Sequence, residues 1–367
     1  MTAQRIGAGI GSSLTAKGDI QTYTTTPARL AVGADGTVLT ANSSAATGLS
    51  YQPLNSAGKN AIINGGMDIW QRGTSFSVGG FTADHWVVGT GGTVTISQDA
   101  TSVPTGFRYS QKYLTSAASS FANFATFIET ANIIPFRGQV CTVSWYAIKN
   151  ATYSGTFGLS NIFYSNTTDA AASQLTAVTI TSGANQTPTT SWARYTATFT
   201  VPSDAMGLSI QFNNGLAQAS GAQINFVGAM MELGSVATTF SRAGGTIQGE
   251  LAACQRYFET SYDVGTAPGT STSNGAVWSS QTASNVTSGY IGAACQMKVT
   301  KRATPTIVLY DAVGASGTMT RITLGGSQAN ASLATAAAIG LNNFVAYSAG
   351  SSSYAGILFQ YTASSEL

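Results

Sequence analysis

The chain has 367 residues, 43% of them hydrophobic and only 8% charged, where ordinary soluble domains carry roughly 25% charge. A net charge of +2 without a basic run leaves no electrostatic footprint for DNA or RNA. No run of about 18 apolar residues offers a membrane span, so neither nucleic-acid binding nor membrane insertion is expected. The length allows two or three modest domains with real cores. Gly, Ser, Thr, Asn and Gln replace the missing charge, a composition suited to β-structure with many tight turns.

Cys141, Cys254 and Cys295 are far apart, odd in number and outside any CxxC pattern. They read as buried free thiols, not as a disulfide framework or a zinc site. Met1 to Arg5 leads into Gly and Ser instead of an apolar core, so no secretory signal is expected. Synthesis in a reducing cytoplasm fits both features.

Residues 1–59 contain no Trp, Phe or Cys. Within them Lys17-Gly18-Asp19-Ile20, Ala28 to Gly33, Gly36 to Thr40 and Ala46 to Leu49 alternate short apolar segments with Gly turns, which predicts a small β-module. Alone it would bury too little apolar surface to offset its chain entropy. Pairing with copies of itself would solve that problem. The run Gly7-Ala8-Gly9-Ile10-Gly11 lacks a preceding strand and the P-loop Lys, and reads as an arm able to dock on a neighbouring protein.

Asn60 to Trp86 concentrates two of the five tryptophans in a charge-poor chain. Asn64-Gly65-Gly66 signals a turn, and the residues after it read as extended. In a strand Asp68, Trp70 and Arg72 would share a face at about 6.6 Å spacing. A guanidinium beside an indole calls for an anion, from Asp68 or Asp84. Asp68, Trp70, Arg72, Asp84 and Trp86 therefore read as a structural anchor for the first strand of a β-sandwich, with ligand binding as the alternative.

Across residues 60–243 a strand rhythm continues at Gly92–Ser97, Val140–Ala147, Ala193–Val201 and Gly207–Phe212. In the third, Tyr195, Ala197, Phe199 and Val201 fall on one face and Arg194, Thr196, Thr198 and Thr200 on the other, a half-buried antiparallel strand. Such strands with turns between them predict a sandwich or jelly roll closing at Val227–Phe240. Residues 244–260 change period: Ile247, Leu251, Cys254 and Phe258 lie at helical spacing, Thr246 suits the cap and Glu250 the first turn. This short helix and its linker, 244–273, would bridge two β-domains or pack at a symmetry axis. Strands resume over 274–367, at Ala276–Trp278, Gly289–Gly292, Thr306–Tyr310 and Gly356–Tyr361. The fold class is thus all-β, antiparallel sandwich or jelly-roll domains with one linking helix.

Catalytic signals are thin. His85 is the only histidine and lies inside the anchor segment, so no triad, metal site or cofactor is implied. Glycan cleavage needs two carboxylates about 5–9.5 Å apart. The 14 acidic residues include no Asp-x-Asp or Glu-x-Glu pair, and Asp35 and Asp204 sit in turn-like contexts. Carboxylates distant in sequence remain able to meet in the fold or across subunits. Binding has better materials: Trp278, Tyr290, Tyr310, Tyr347 and Tyr354 offer aromatic faces amid amides and hydroxyls, suited to a pyranose, or else to a core or subunit interface.

Several of these segments are familiar as a set. Asn60, Asn64-Gly65, Trp70-Gln71-Arg72-Gly73 and Asp84-His85-Trp86 closely resemble the opening of a domain found in bacteriophage tail fibres and other virion appendages, which usually has Arg in place of His85. Lys17–Leu49 resembles a short module of phage tail proteins. Val227–Phe240 resembles the exit of jelly rolls in carbohydrate-binding modules and phage fibres. Lys298–Pro305 and Phe359–Leu367 resemble a C-terminal tail-fibre domain. The resemblance implies a non-enzymatic structural protein of the virion, assembled as a homotrimer. Residues 1–59 would mount it on other virion proteins, 60–243 would form its body, and 274–367 would present a tip to a host glycan or protein. A head fibre or capsid decoration protein, and a surface-polysaccharide depolymerase, are the alternatives.

Overall fold

The computed structural model describes residues 14–33, 37–43, 45–53, 59–118, 122–167, 169, 176–214, 217–280, 289–350 and 354–367. The Gly7–Gly11 arm and the Asp35-Gly36 turn lie outside them. The chain divides into two compact units, Met1–Ser56 and Ala57–Leu367.

The first unit is two hairpins, Ile20–Tyr23 with Pro27–Leu30 and Thr37–Ala41 with Leu49–Pro53. Asp19 organises the first. Its carboxylate accepts the Thr15 and Ala16 N–H groups and pairs with Arg29 at 2.7 Å. The Arg29 guanidinium, aided by these N–H groups, holds the Asp19 carboxyl well below the usual range. Among the described residues of this unit none is buried, as its thin apolar content predicts.

The second unit begins as a β-sandwich. One sheet runs in the order Thr176–Val178, Phe157–Ser165, Gly207–Asn214, Ala122–Ile128, Val87–Thr90, Gly80–Phe81. The other runs Ile180–Ser182, Ala193–Thr200, Val140–Lys149, Gln223–Leu233, Ser110–Thr115, Val94–Asp99, Ser75–Phe76. All pairings among them are antiparallel. The inner faces meet in an aromatic core: Phe226 lies 5.3 Å from Trp86, 4.8 Å from Phe212 and 5.6 Å from Phe157 between ring centres. Such tilted and edge-on contacts add to the burial of each ring. On the strand Ala193–Thr200 and just beyond it, Ala197, Phe199 and Val201 are buried while Thr196 and Thr200 are exposed, the alternation expected from sequence.

The linking helix is Ile247–Gln255. Thr246 caps it by accepting the Gly249 N–H at 3.1 Å. Phe258 is not in the helix but in the strand Phe258–Thr260, and Ile247 is exposed. The helix instead buries Glu250 and Cys254, the latter against Ile63, Ile69 and Tyr257. Period alone could not show this, because a buried carboxylate on the inner face breaks the apolar stripe.

The terminal region is built around the 11-residue strand Tyr354–Ser364. It pairs with Phe258–Thr260, Val277–Ser280, Thr306–Tyr310 and Thr318–Thr323. A separate three-stranded sheet follows the order Gly289–Gln296, Asn343–Gly350, Thr335–Ala337. Ile291, Cys295, Phe344, Ile357 and Phe359 share its core. All three cysteines are buried and unpaired; burial raises the Cys141 thiol to about 12 and Cys295 to about 11.

The anchor segment departs from expectation. Residues 60–74 form turns and irregular backbone, not a strand, so Asp68, Trp70 and Arg72 share no strand face. Asn64 and Met67 take positive φ of 54° and 53°. The Asn64 side chain accepts the N–H groups of Asp68 and Ile69 at 3.0 Å and donates to the carbonyls of Ile69 and Asp84 at 2.9 Å. Gly65 packs so closely that a Cβ would lie 1.9 Å from the Ala229 carbonyl oxygen, which excludes every other residue there. A side chain that satisfies four backbone groups at once replaces a ladder.

Candidate functional site

Two places gather chemistry-bearing side chains: a sealed junction and an open sheet face. At the junction the Asn60–Trp86 segment meets the Phe359–Leu367 segment. Arg72 donates to Glu366 at 2.7 Å and stands 3.6 Å from Asp84. Its guanidinium lies over the rings of Phe258 and Phe81, at 3.6 and 4.8 Å from their centres. Gln71 donates its backbone N–H to Asp84 at 3.0 Å, and its side-chain amide to Asp84 and the Phe258 carbonyl. Trp70 donates its indole N–H to the Met67 carbonyl and Trp86 to that of Asn64. Asp68 stands apart and pairs with Arg242 at 2.8 Å.

His85 is buried, at positive φ of 66°, with its ring 4.1 Å from that of Tyr257. Nε2 lies 2.8 Å from the Phe127 carbonyl and Nδ1 3.3 Å from a Glu366 oxygen. Since the carbonyl only accepts, Nε2–H is the donor in that bond. Burial pushes the Asp84 carboxyl up, partly opposed by Arg72. Burial also pushes Glu366 up, but the His85 hydrogen bond and Arg72 outweigh it and leave the carboxyl below its ordinary value. Two carboxyls pushed apart in this way are a pattern of acid–base catalysis. Here Asp84 is 0% exposed and the Glu366 side chain 8%, so the pair faces the interior of the junction.

The Lys298–Pro305 segment closes a second buried cluster. Lys301 pairs with Glu259 at 2.6 Å with both side chains fully covered. Tyr361 donates to the same carboxylate at 2.7 Å, and the Lys298 backbone N–H at 2.9 Å. Burial pulls the Lys301 ammonium below its usual value, against the pull of Glu259. Arg302 donates to the carbonyls of Ser365 and Glu366, so this segment also holds the Glu366 strap in place. Glu129 pairs with Arg256, Asp169 with Arg302 and Glu232 with Lys59.

The open face belongs to the three-stranded sheet. Along Gly289–Gln296, Tyr290 and Ala294 point outward while Ile291 and Cys295 point to the core. Tyr290 is 72% exposed, and its ring meets Tyr347 edge-on at 5.0 Å and 72°. Tyr290, Gly292, Ala293, Ala294, Val345 and Tyr347 line a shallow cleft of about 570 Å³. A Cβ on Gly292 would come within 3.0 Å of the Tyr347 Cβ, so the glycine admits this ring. At one end, where Tyr290 pairs with Ala349, Arg321 donates to the Ala349 carbonyl and stacks on Tyr354 at 4.4 Å.

Of the five aromatics proposed from sequence, Tyr290 and Tyr347 thus meet, and Tyr354 joins their rim through Arg321. Trp278 is 68% exposed on the neighbouring strand, whose Ser279 donates to the Gly292 carbonyl. Tyr310 packs edge-on against Tyr262 at 6.0 Å. Neither of these two lines the cleft. Sequence reasoning missed Gly292, Ala294 and Arg321. The alternation Tyr290, Gly292, Ala294 was visible as a signal; Arg321 carried none. Among the described residues no cluster of His, Cys, Asp and Glu suits a metal, and no helix is long and apolar enough to cross a membrane.

No family model and no curated protein matches the chain. Solved structures similar to it include the enzymatically active domain of tailspike protein 4 of bacteriophage CBA120, at 20% identity and a TM-score of 0.34 over 48% of this chain. The chain spans only 21% of that tailspike. The CBM22-1 xylan-binding domain of Paenibacillus barcinonensis Xyn10C matches at 11% identity and 0.29, covering 45% of this chain and 94% of its own. A carbohydrate-binding module, CBM4, matches at 19% and 0.30, covering 47% and 99%. At these values none of them carries a functional conclusion.

Proposed function

We propose that the chain is a non-enzymatic virion protein of a bacteriophage, a tail fibre or similar appendage, whose terminal β-region binds a host surface glycan. The observation that carries the glycan reading is the Tyr290–Tyr347 face. An uncharged floor of Gly292 and Ala294 beside the exposed Tyr290 ring and the half-buried Tyr347 ring accepts the apolar face of a pyranose, and Arg321 at the rim supplies hydrogen bonds. The virion setting rests on the resemblance of the Asn60–Trp86 and Phe359–Leu367 segments to tail-fibre domains. Their joint role as a buried clasp gives a physical reason for them to occur together.

Assembly as a homotrimer is supported by the resemblance and by the first unit, in which no described residue is buried as a whole. Three weak sites on one body then gain avidity through effective concentration. A monomer mass by light scattering at micromolar concentration would refute the trimer. The virion setting is tested by cryo-EM of the particle that carries this chain. Density at the tail or baseplate, with residues 274–367 outward, supports attachment. Density on the capsid makes it a head fibre or decoration protein and removes the receptor role. Release of reducing ends from surface polysaccharide by the purified protein would instead establish a depolymerase.

A further inference from the structure

A charge stands beside the Tyr290–Tyr347 cleft without a carboxylate to balance it. Arg321, on the strand Thr318–Thr323, donates from Nη1 to the Ala349 carbonyl at 3.3 Å. Ala349 is the direct strand partner of Tyr290, and such partners lie about 4.5–5.5 Å apart at Cα. The guanidinium is therefore within reach of a ligand resting on the Tyr290 ring. Tyr354 holds it there, with its ring centre 4.4 Å from Cζ.

A guanidinium offers five N–H donors, and most of these are idle. Nε is sealed from solvent without an acceptor; Nη2 has no partner among the described residues but is not sealed. Arg29, Arg72, Arg242, Arg256 and Arg302 each pair with a carboxylate. Arg137 and Arg194 donate to backbone carbonyls of the sandwich, and Arg108 lies over Tyr109 there. Arg321 is the arginine beside the cleft, and its own region has no acid to spare for it. Residues 274–367 hold two acidic side chains, Asp311 and Glu366. Asp311 is buried and accepts the N–H groups of Val313 and Ala315; Glu366 pairs with Arg72. Segments 281–288 and 350–353, which adjoin the cleft strands in sequence, contain neither Asp nor Glu.

We infer that the cleft takes an acidic glycan, a pyranose chain bearing carboxylates, and that Arg321 selects it. The inference rests on the glycan reading of this cleft. A sugar ring lies on Tyr290, and its carboxylate accepts from Nη1 and Nη2, whose planar fork matches two oxygens at once. A neutral sugar meets the same rings but leaves the cation to water. Binding of the acidic form then depends on salt in a way that ring stacking does not.

The test is calorimetric titration of the full-length protein with hexasaccharides of galacturonate, mannuronate, alternating glucuronate and N-acetylglucosamine, and sialic acid, each beside its carboxyl-reduced neutral form. At least one acidic hexasaccharide should bind with a dissociation constant of about 1 mM or tighter, and its reduced form at least about tenfold more weakly. Rising salt should weaken the acidic binding and leave the reduced form unchanged. Arg321→Gln should bring the acidic form down to the level of the reduced one while keeping the melting temperature. Arg321→Lys, which keeps the charge without the fork, should fall between them. Tyr290→Ala should weaken both forms. Reduced forms that bind as tightly as their acidic parents, or acidic binding unchanged in both Arg321 variants, would overturn the inference and leave the glycan reading standing. Acidic binding lost in Arg321→Gln but retained in Tyr290→Ala would move it off the cleft and overturn the inference too. Failure of every hexasaccharide, acidic and reduced, would remove the glycan reading itself and this inference with it.

Discussion

Trp70 and Tyr290 are both large aromatics in a charge-poor chain, yet the first is 0% exposed and the second 72%. The difference lies in what surrounds each ring. Trp70 sits in a segment whose polar groups are consumed internally: its indole N–H meets Met67, and Asn64 ties the flanking backbone to Ile69 and Asp84. Tyr290 stands on a sheet whose outward neighbours are Gly292 and Ala294, too small to cover it. A buried clasp needs most of its donors and acceptors matched, and here Arg72 Nη1 makes no hydrogen bond but faces Asp84 at 3.6 Å; a contact surface needs rings left uncovered. The two regions answer these opposite demands within one compact unit.

The sharpest way to break this comparison is at the clasp. Trp70→Ala should destabilise the sandwich by about 3–5 kcal/mol, the usual loss for a buried large aromatic, seen as a lowered denaturant midpoint. A variant that kept its stability but lost glycan binding would reverse the roles assigned to the two regions. Arg72→Met should also be costly, about 3 kcal/mol, because it strands Asp84 and Glu366 beside each other without their cation.

Glu366→Gln is gentler, about 1–3 kcal/mol at neutral pH, and its pH dependence sharpens the assignment. The Glu366 carboxyl is lowered on folding. Its contribution is therefore present above the ordinary carboxylate value of about 4.3 and lost as pH falls through the lower folded value. Asp84 is raised and acts in the opposite sense, favouring the fold at low pH and losing that contribution as pH rises through its folded value. Asp99 and Asp169 are lowered too and share the acid limb with Glu366. Glu366→Gln should flatten stability against pH below about 4.3 without abolishing the slope; an unchanged slope would remove Glu366 from the linkage.

The smallest effect on folding belongs to the open face. Tyr290→Ala should change stability by less than about 0.5 kcal/mol, while retention on host-cell polysaccharide falls at least about tenfold if one stacked ring is lost. A large drop in melting temperature would show that Tyr290 is covered in the assembled protein, as at an interface between copies.

Much of the strand pattern was legible because period-two alternation is a local property. Tyr195 to Val201 could face the core only one way, and Thr246 with Glu250 marked a helix start. The anchor segment was legible as important but not in form. Asn64 and Met67 occupy left-handed backbone, and the bonds that stabilise Asn64 there come from carbonyls 5 and 20 residues away. Read locally, the same residues suit an extended strand. The candidate glycan face was half legible: its aromatics could be named, but which of them met was a matter of register between strands some 50 residues apart.

Composition and alternation by themselves determined an antiparallel, charge-poor β-protein with one capped helix, because those features depend on neighbours within a turn or a pleat. Only the tertiary structure decided that Arg72 and Glu366, 294 positions apart, form one buried clasp, and that an open Tyr290 meets a half-buried Tyr347. Long-range pairing selects among many locally equivalent segments. What selects is the matching of buried charge and hydrogen bonds across the whole unit, which no window of sequence contains.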